Sequence, residues 1–114
     1  SPEPAPTPTP GEPISVTGWQ IGQTTKTGAD VSLEIEPGSP LSITANANGS
    51  IGSDTYKLMR NSSKSVSGAT LIQEISAFPV NAASVTYSAD MYVMVVKNDT
   101  EIIGSLYLNW NDQD

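Results

Sequence analysis

The chain contains no cysteine and no histidine. The first absence excludes disulfides, thiolate metal sites and cysteine nucleophiles, and the second removes the side chain that most often moves protons near neutral pH. Basic residues are scarce as well. Lys26, Lys57, Arg60, Lys64 and Lys97 face 12 carboxylates, for a formal net charge of -7. Nucleic acid and anionic lipid would repel such a chain, so neither is expected as a partner. No apolar run approaches the ~20 residues of a membrane-crossing helix, and no charged-then-apolar leader opens the sequence. Membrane insertion, a cofactor, a metal site and catalytic activity are therefore not expected, and packing alone must hold the fold.

What remains is 114 residues, 37% of them hydrophobic, enough for one compact core. Residues 1–13, SPEPAPTPTPGEP, hold six of the nine prolines. A run of this kind cannot sustain a hydrogen-bond ladder or bury apolar side chains, and it reads as an extended arm biased toward polyproline II. A spacer explains it most simply. An arm that docks on a neighbour, or a ligand for a proline-recognition groove, is the sharper reading, but no basic residue flanks it. Residues 14–114 form the expected domain.

Beyond Ile14 no helical period is sustained, whereas β-branched alternation recurs between clusters of Gly, Asn, Asp and Ser. Strands are expected at 14–20, 31–36, 40–47, 55–60, 69–75, 83–88, 91–97 and 101–109. EPGSP (36–40) marks a turn and KNDTE (97–101) a tight hairpin. In LSITANANG, Leu41, Ile43, Ala45 and Ala47 fall on one face, with Ser42, Thr44, Asn46 and Asn48 on the other. Tyr92, Met94 and Val96 share a face of the seventh strand, and Leu58 is the apolar centre of TYKLMR. Short alternating strands in this number predict an all-β sandwich of two antiparallel sheets.

The stretch SADMYVMVVKN (88–98) resembles the start of the F strand of an immunoglobulin-like domain, where an acid precedes a tyrosine whose hydroxyl ties back to the corner. Asp90 and Tyr92 would be that acid and that tyrosine. In the same frame GSPLSITANANG looks like the B strand, and TYKLMRNSSKSVSGATL is similar to the C strand and the turn after it. The resemblance, over roughly residues 28 to 110, puts Ala45 and Met94 where disulfide-bearing members carry cysteines, and Leu58 where they carry tryptophan. It is nearest to the disulfide-free immunoglobulin-like domains of bacterial surface proteins and tailed-phage virions. An Ala45–Met94–Leu58 contact is then expected to fill the core, forgoing about 3 kcal/mol of crosslink stabilisation.

Other residues have competing readings. Trp19 and Trp110, with Tyr56 and Tyr107, are the aromatics a sugar-stacking platform would recruit, but two tryptophans also serve to close the ends of a core. Asp112 and Asp114, near Asn109 and Asn111, supply oxygen ligands for calcium, but lack the loop glycine and ordered spacing, and read as a frayed terminus. Asp30, Glu34, Glu36 and Glu74 read as solubilising charges. Asn-x-Ser/Thr triplets at Asn48, Asn61 and Asn98 all fall in expected turns.

The resemblance implies a non-enzymatic display or decoration domain on a virion surface, a tailed-phage capsid or tail, held to other virion proteins by the arm or by a further anchor. The sandwich would be monomeric on its own and free for weak adhesion to host-surface glycans. The alternative is a carbohydrate-binding or adhesin module of a bacterial extracellular protein, since a Pro/Thr-rich linker suits either.

Overall fold

A computed structural model describes residues 13–110, the side chain of Ser39 excepted. Apart from Pro13, the proline-rich arm lies outside the described residues, as do Asn111, Asp112 and Asp114 of the calcium reading. The described chain is all strand and turn: β1 (Ser15–Ile21), β2 (Thr24–Thr27), β3 (Asp30–Glu34), β4 (Gly38–Asn48), β5 (Tyr56–Asn61), β6 (Thr70–Ile75), β7 (Val80–Tyr87), β8 (Met91–Lys97) and β9 (Glu101–Asn109). They form a four-stranded sheet in the order β2-β1-β4-β7 and a five-stranded sheet in the order β3-β9-β8-β5-β6.

Three details differ from the sequence expectation. β2, TTKT, was not foreseen because it has no apolar side chain to alternate; Gly22, at φ 59, turns β1 back onto it. β7 starts at Val80 rather than residue 83. Its inward residues Val80, Ala82, Val85 and Tyr87 step across an irregularity that breaks the period of two. The five-stranded sheet is mixed, not antiparallel, because β3 runs parallel to β9, with Asp30 opposite Ser105 and Glu34 opposite Asn109. The chain reaches β3 by crossing from the other sheet at Gly28, whose φ of 124 favours glycine.

Fully buried Trp19, Ile43, Leu58, Tyr87, Leu106 and Leu108 anchor the core between the sheets, and Ala45 belongs to the same cluster. Met94 does not, which corrects the expected Ala45–Leu58–Met94 contact. Met91, Val93 and Val95 are the residues β8 turns inward, and Tyr92, Met94 and Val96 occupy its opposite face. Met94 is nevertheless 0% exposed, as is Val96. Part of the cover is the β5–β6 connection. The Asn61 amide donates to the carbonyls of Ser65 (2.9 Å) and Ser67 (3.0 Å), gathering the loop over its own strand face. Lys64 then reaches Asp30, 3.4 Å away on β3, three strands across the sheet. Three spacings are about 14 Å, longer than a lysine side chain, so the loop backbone must lie over β8 and β9.

No crosslink joins the two sheets; hydrogen bonds at both ends of β3 do. Before it, the Ala29 carbonyl accepts the indole N–H of Trp19 (3.0 Å) from β1 and the backbone N–H of Ser105 (2.9 Å) from β9. After it, the Ile35 carbonyl accepts the hydroxyl of Tyr87 (2.7 Å) from β7, while the Ile35 N–H donates to Asn109 (2.8 Å) of β9. Each end of β3 is thereby tied to both sheets.

The register also orients the molecule. On β4 and β7, Gly38 lies opposite Tyr87 and Ala45 opposite Val80, and Ser15 lies opposite Asn48. The chain therefore enters β1 at the pole holding Asn48 and Val80, away from the pole where Tyr87 ends its strand. The 97–101 hairpin closes the near pole, with Asn98 (φ 53) and Asp99 (φ 61) at its centre and the Asn98 side chain accepting the Thr55 N–H at 2.9 Å.

β1 and β9 approach closely at Gly104. A Cβ there would lie 2.8 Å from the Cβ and Cγ2 of Val16, a buried side chain with little room to move. Gly104→Ala is expected to cost about 1–3 kcal/mol by overpacking. Because the Val16 Cβ is itself one of the clashing atoms, Val16→Gly, which removes it, should recover part of that loss, so in urea denaturation the double variant will be more stable than the two single losses predict; simple additivity would refute the contact.

Candidate functional site

The pole away from the start of β1 is built around Asp90, an exposed carboxylate in the short connection between β7 and β8. β9 ends beside it, and Asp90 Oδ1 accepts the Trp110 backbone N–H at 3.0 Å. β7 delivers Tyr87. β8 and β9 deliver Tyr92 and Tyr107 as cross-strand partners, their rings stacked at 4.5 Å between centroids and inclined by 27°. Asn61 pairs with Tyr92 from β5, so a row of amide and phenol groups crosses the outer face at this pole.

Asp90, expected as the acid of a tyrosine corner, thus orients Trp110. Tyr92, expected as the corner tyrosine, is half-buried against Tyr107. The buried tyrosine whose hydroxyl reaches back to a preceding backbone carbonyl is Tyr87. Strand chemistry explains the exchange. MYVMVV is apolar at every position, so periodicity cannot choose its inward face, whereas Val85 and Tyr87 alternate with polar neighbours and can face only inward.

A shallow hollow of about 250 Å³ opens at this pole, lined by Arg60, Asn61, Ser62, Thr70, Ser88 and Asp90, among others. Arg60 is held by a bond from Nη1 to the Thr86 carbonyl at 2.9 Å. Burial raises the pKa of Tyr87 above its ordinary 10.0, aided by the nearby charges of Asp90 and Tyr107. Tyr107 is also raised, by burial first, then by the charge of Asp90, by Tyr92 and by a hydrogen bond to Asp90. Tyr87 and Tyr107 thus hold their protons to higher pH, and the groups around Asp90 offer fixed donors and acceptors for a polar ligand.

The two-tryptophan platform is not assembled. Trp19 is 0% exposed, whereas Trp110 is 43% exposed. Tyr56 is also buried, edge-on to Phe78 with centroids 6.2 Å apart, leaving Tyr107 and Trp110 at the Asp90 pole. Asp30, expected as a free solubilising charge, accepts the Ser105 hydroxyl at 2.9 Å and meets Lys64. Glu34, Glu36 and Glu74 are exposed. Among the described residues no group of three or more His, Cys, Asp or Glu could hold a metal ion. Asn61 and Asn98 engage their amides in the fold, the latter donating to Asp54 at 3.0 Å, while Asn48 is exposed. Comparison with family models, curated proteins and solved structures finds no match to the chain.

Tyr87→Phe is expected to cost about 1–3 kcal/mol in chemical denaturation, since the Ile35 carbonyl loses its partner. Tyr92→Phe should change stability little by comparison. A raised folded pKa makes Tyr87's contribution complete below pH 10.0 and progressively lost as pH rises through the folded value. The alkaline decline in stability should therefore be shallower in Tyr87→Phe than in the wild type, with Tyr107 and the Asp99-paired Lys57, both also raised, contributing to what remains.

Proposed function

We propose that this chain is a non-enzymatic, immunoglobulin-like display domain, carried by its N-terminal side on the surface of a virion, a tailed-phage capsid or tail. The observation that carries the reading is polarity. The described chain enters at one pole, and the polar hollow, the stacked tyrosines and the exposed Trp110 gather at the other. A domain tethered at its base presents such a pole outward.

Strand order supports the immunoglobulin-like part. With β2 set aside as a hairpin extension, β1-β4-β7 and β3-β9-β8-β5-β6 follow the A-B-E and A′-G-F-C-C′ arrangement, including a first-strand continuation parallel to the last strand. Leu58 and Ala45 lie in the core of this frame. Val93 and Val95, rather than Met94, fill the inward positions of the F-like strand. The net charge of -7 supports display in many copies, because like-charged modules held close together repel and stay soluble. The proline-rich segment suits a spacer that holds them away from the particle.

Antibody raised against the chain and applied to intact purified particles from the source carrying this sequence is expected to label their outer surface. Labelling confined to soluble protein, with none on particles, would overturn the proposal.

A further inference from the structure

We infer that Asn48 is a site of spontaneous modification: in the folded chain the backbone nitrogen of Gly49 attacks its side-chain amide, and the residue converts to aspartate and isoaspartate. The inference requires only this chain and water, and does not rest on the virion assignment.

Sequence and local structure bring the two groups together at one place. Of the described asparagines, Asn46, Asn48, Asn61, Asn81, Asn98 and Asn109, Asn48 alone is followed by glycine. Glycine has no Cβ to shield its nitrogen, and its backbone reaches conformations closed to other residues. Asn48 is the last residue of β4, and Gly49, at φ 102, has already left the strand. Forming a ring between the two residues requires the backbone to leave its extended form. At a strand end that local opening costs little, whereas inside a strand it breaks the ladder. Asn48 is exposed, and neither its side-chain amide nor the Gly49 N–H has a hydrogen-bond partner among the described residues.

Each remaining asparagine is held. Asn61 Oδ1 accepts the N–H of Ser62 at 2.8 Å, the nitrogen that would have to attack it, while its amide donates to Ser65 and Ser67. After Asn109 the corresponding nitrogen, that of Trp110, donates to Asp90 at 3.0 Å. Asn81 donates to the hydroxyls of Ser42 at 3.0 Å and Thr44 at 2.8 Å. Asn98 bridges Thr55 and Asp54. Asn46 lies inside β4, opposite Gly18 of β1, and precedes Ala47, which carries a Cβ.

The step balances with water alone. The Gly49 nitrogen, its proton removed by hydroxide, bonds to Asn48 Cγ. The Cγ–Nδ2 bond breaks, and the amide leaves as ammonia after taking a proton from water, which restores the hydroxide. A cyclic succinimide remains. Water then opens the ring at Cγ to give aspartate, or at the main-chain carbonyl to give isoaspartate. One water is consumed, one ammonia is released, and nothing is oxidised or reduced. The product is one unit more negative than the -7 of the unmodified chain, and the new carboxylate lies opposite Ser15 at the pole where the chain enters β1.

The test holds the folded 114-residue chain in mildly alkaline buffer and follows it by ion-exchange chromatography and peptide mass spectrometry. An acidic species is expected to accumulate, heavier by the difference between water and ammonia, with the change at Asn48 and both aspartyl isomers present. Its rate should rise in proportion to hydroxide concentration and exceed the rate at every other described asparagine by about tenfold or more. Asn48→Gln, an exposed substitution whose longer side chain closes a larger ring far more slowly, should abolish the acidic species and leave the urea midpoint unchanged. An acidic species that persists in Asn48→Gln overturns the inference. So does conversion spread over the other asparagines, or conversion of Asn48 that occurs only when urea has unfolded the chain.

Discussion

The two carbonyls that bracket β3 hold this fold together. In a sandwich with no crosslink, the sheets must be prevented from sliding by contacts that have direction, and burial of apolar surface has none. Ala29 and Ile35 supply it. Each receives a donor from a fully buried aromatic of one sheet, Trp19 or Tyr87, and each lies at a backbone junction with β9 of the other. Low polarity around these bonds strengthens them and makes their loss costly, so they fix the offset of the sheets while the aromatic bodies fill the space between.

The Asp90 pole inherits its geometry from that stitch. Tyr87 ends β7 with its hydroxyl on Ile35, so the connection to β8 leaves from a fixed point, and Asp90 lies three residues on. Its carboxylate then holds the end of β9 through Trp110. One face of the pole is closed by the 62–69 connection, gathered by Asn61 and spanning the sheet to Asp30. The hollow lies between the 62–69 connection and the β7–β8 connection and is lined by polar side chains from both. The opposite pole, with the Asn98 turn and the Asp54–Thr55 segment bonded to it, receives the chain and carries structural amides.

Much of the strand map was legible because alternation is a local property. β8 and β9 run over the residues where alternation and the KNDTE turn put them, and the inward face of β4 follows from Leu41, Ile43, Ala45 and Ala47. The candidate site was only partly legible. Asp90 stood out for its place before a tyrosine, but its partner is the backbone of a residue twenty positions away, which no local pattern encodes. Arg60 and Asn61 drew no functional attention from sequence, because each is one polar residue at a strand end until the sheet brings it to the hollow.

The sequence by itself determined that the chain has no thiol or imidazole chemistry, that it is acidic, and that its core is strands packed without a crosslink; these depend on which residues are present and on spacing over a few positions. Tertiary structure decided which of two apolar faces of β8 turns inward, that Trp19 is a core donor while Trp110 stays in water, and that Tyr87 ties the corner instead of Tyr92. Those outcomes depend on what lies across the sandwich, and a residue's partner there is set by the closing of the sheets, which sequence distance does not measure.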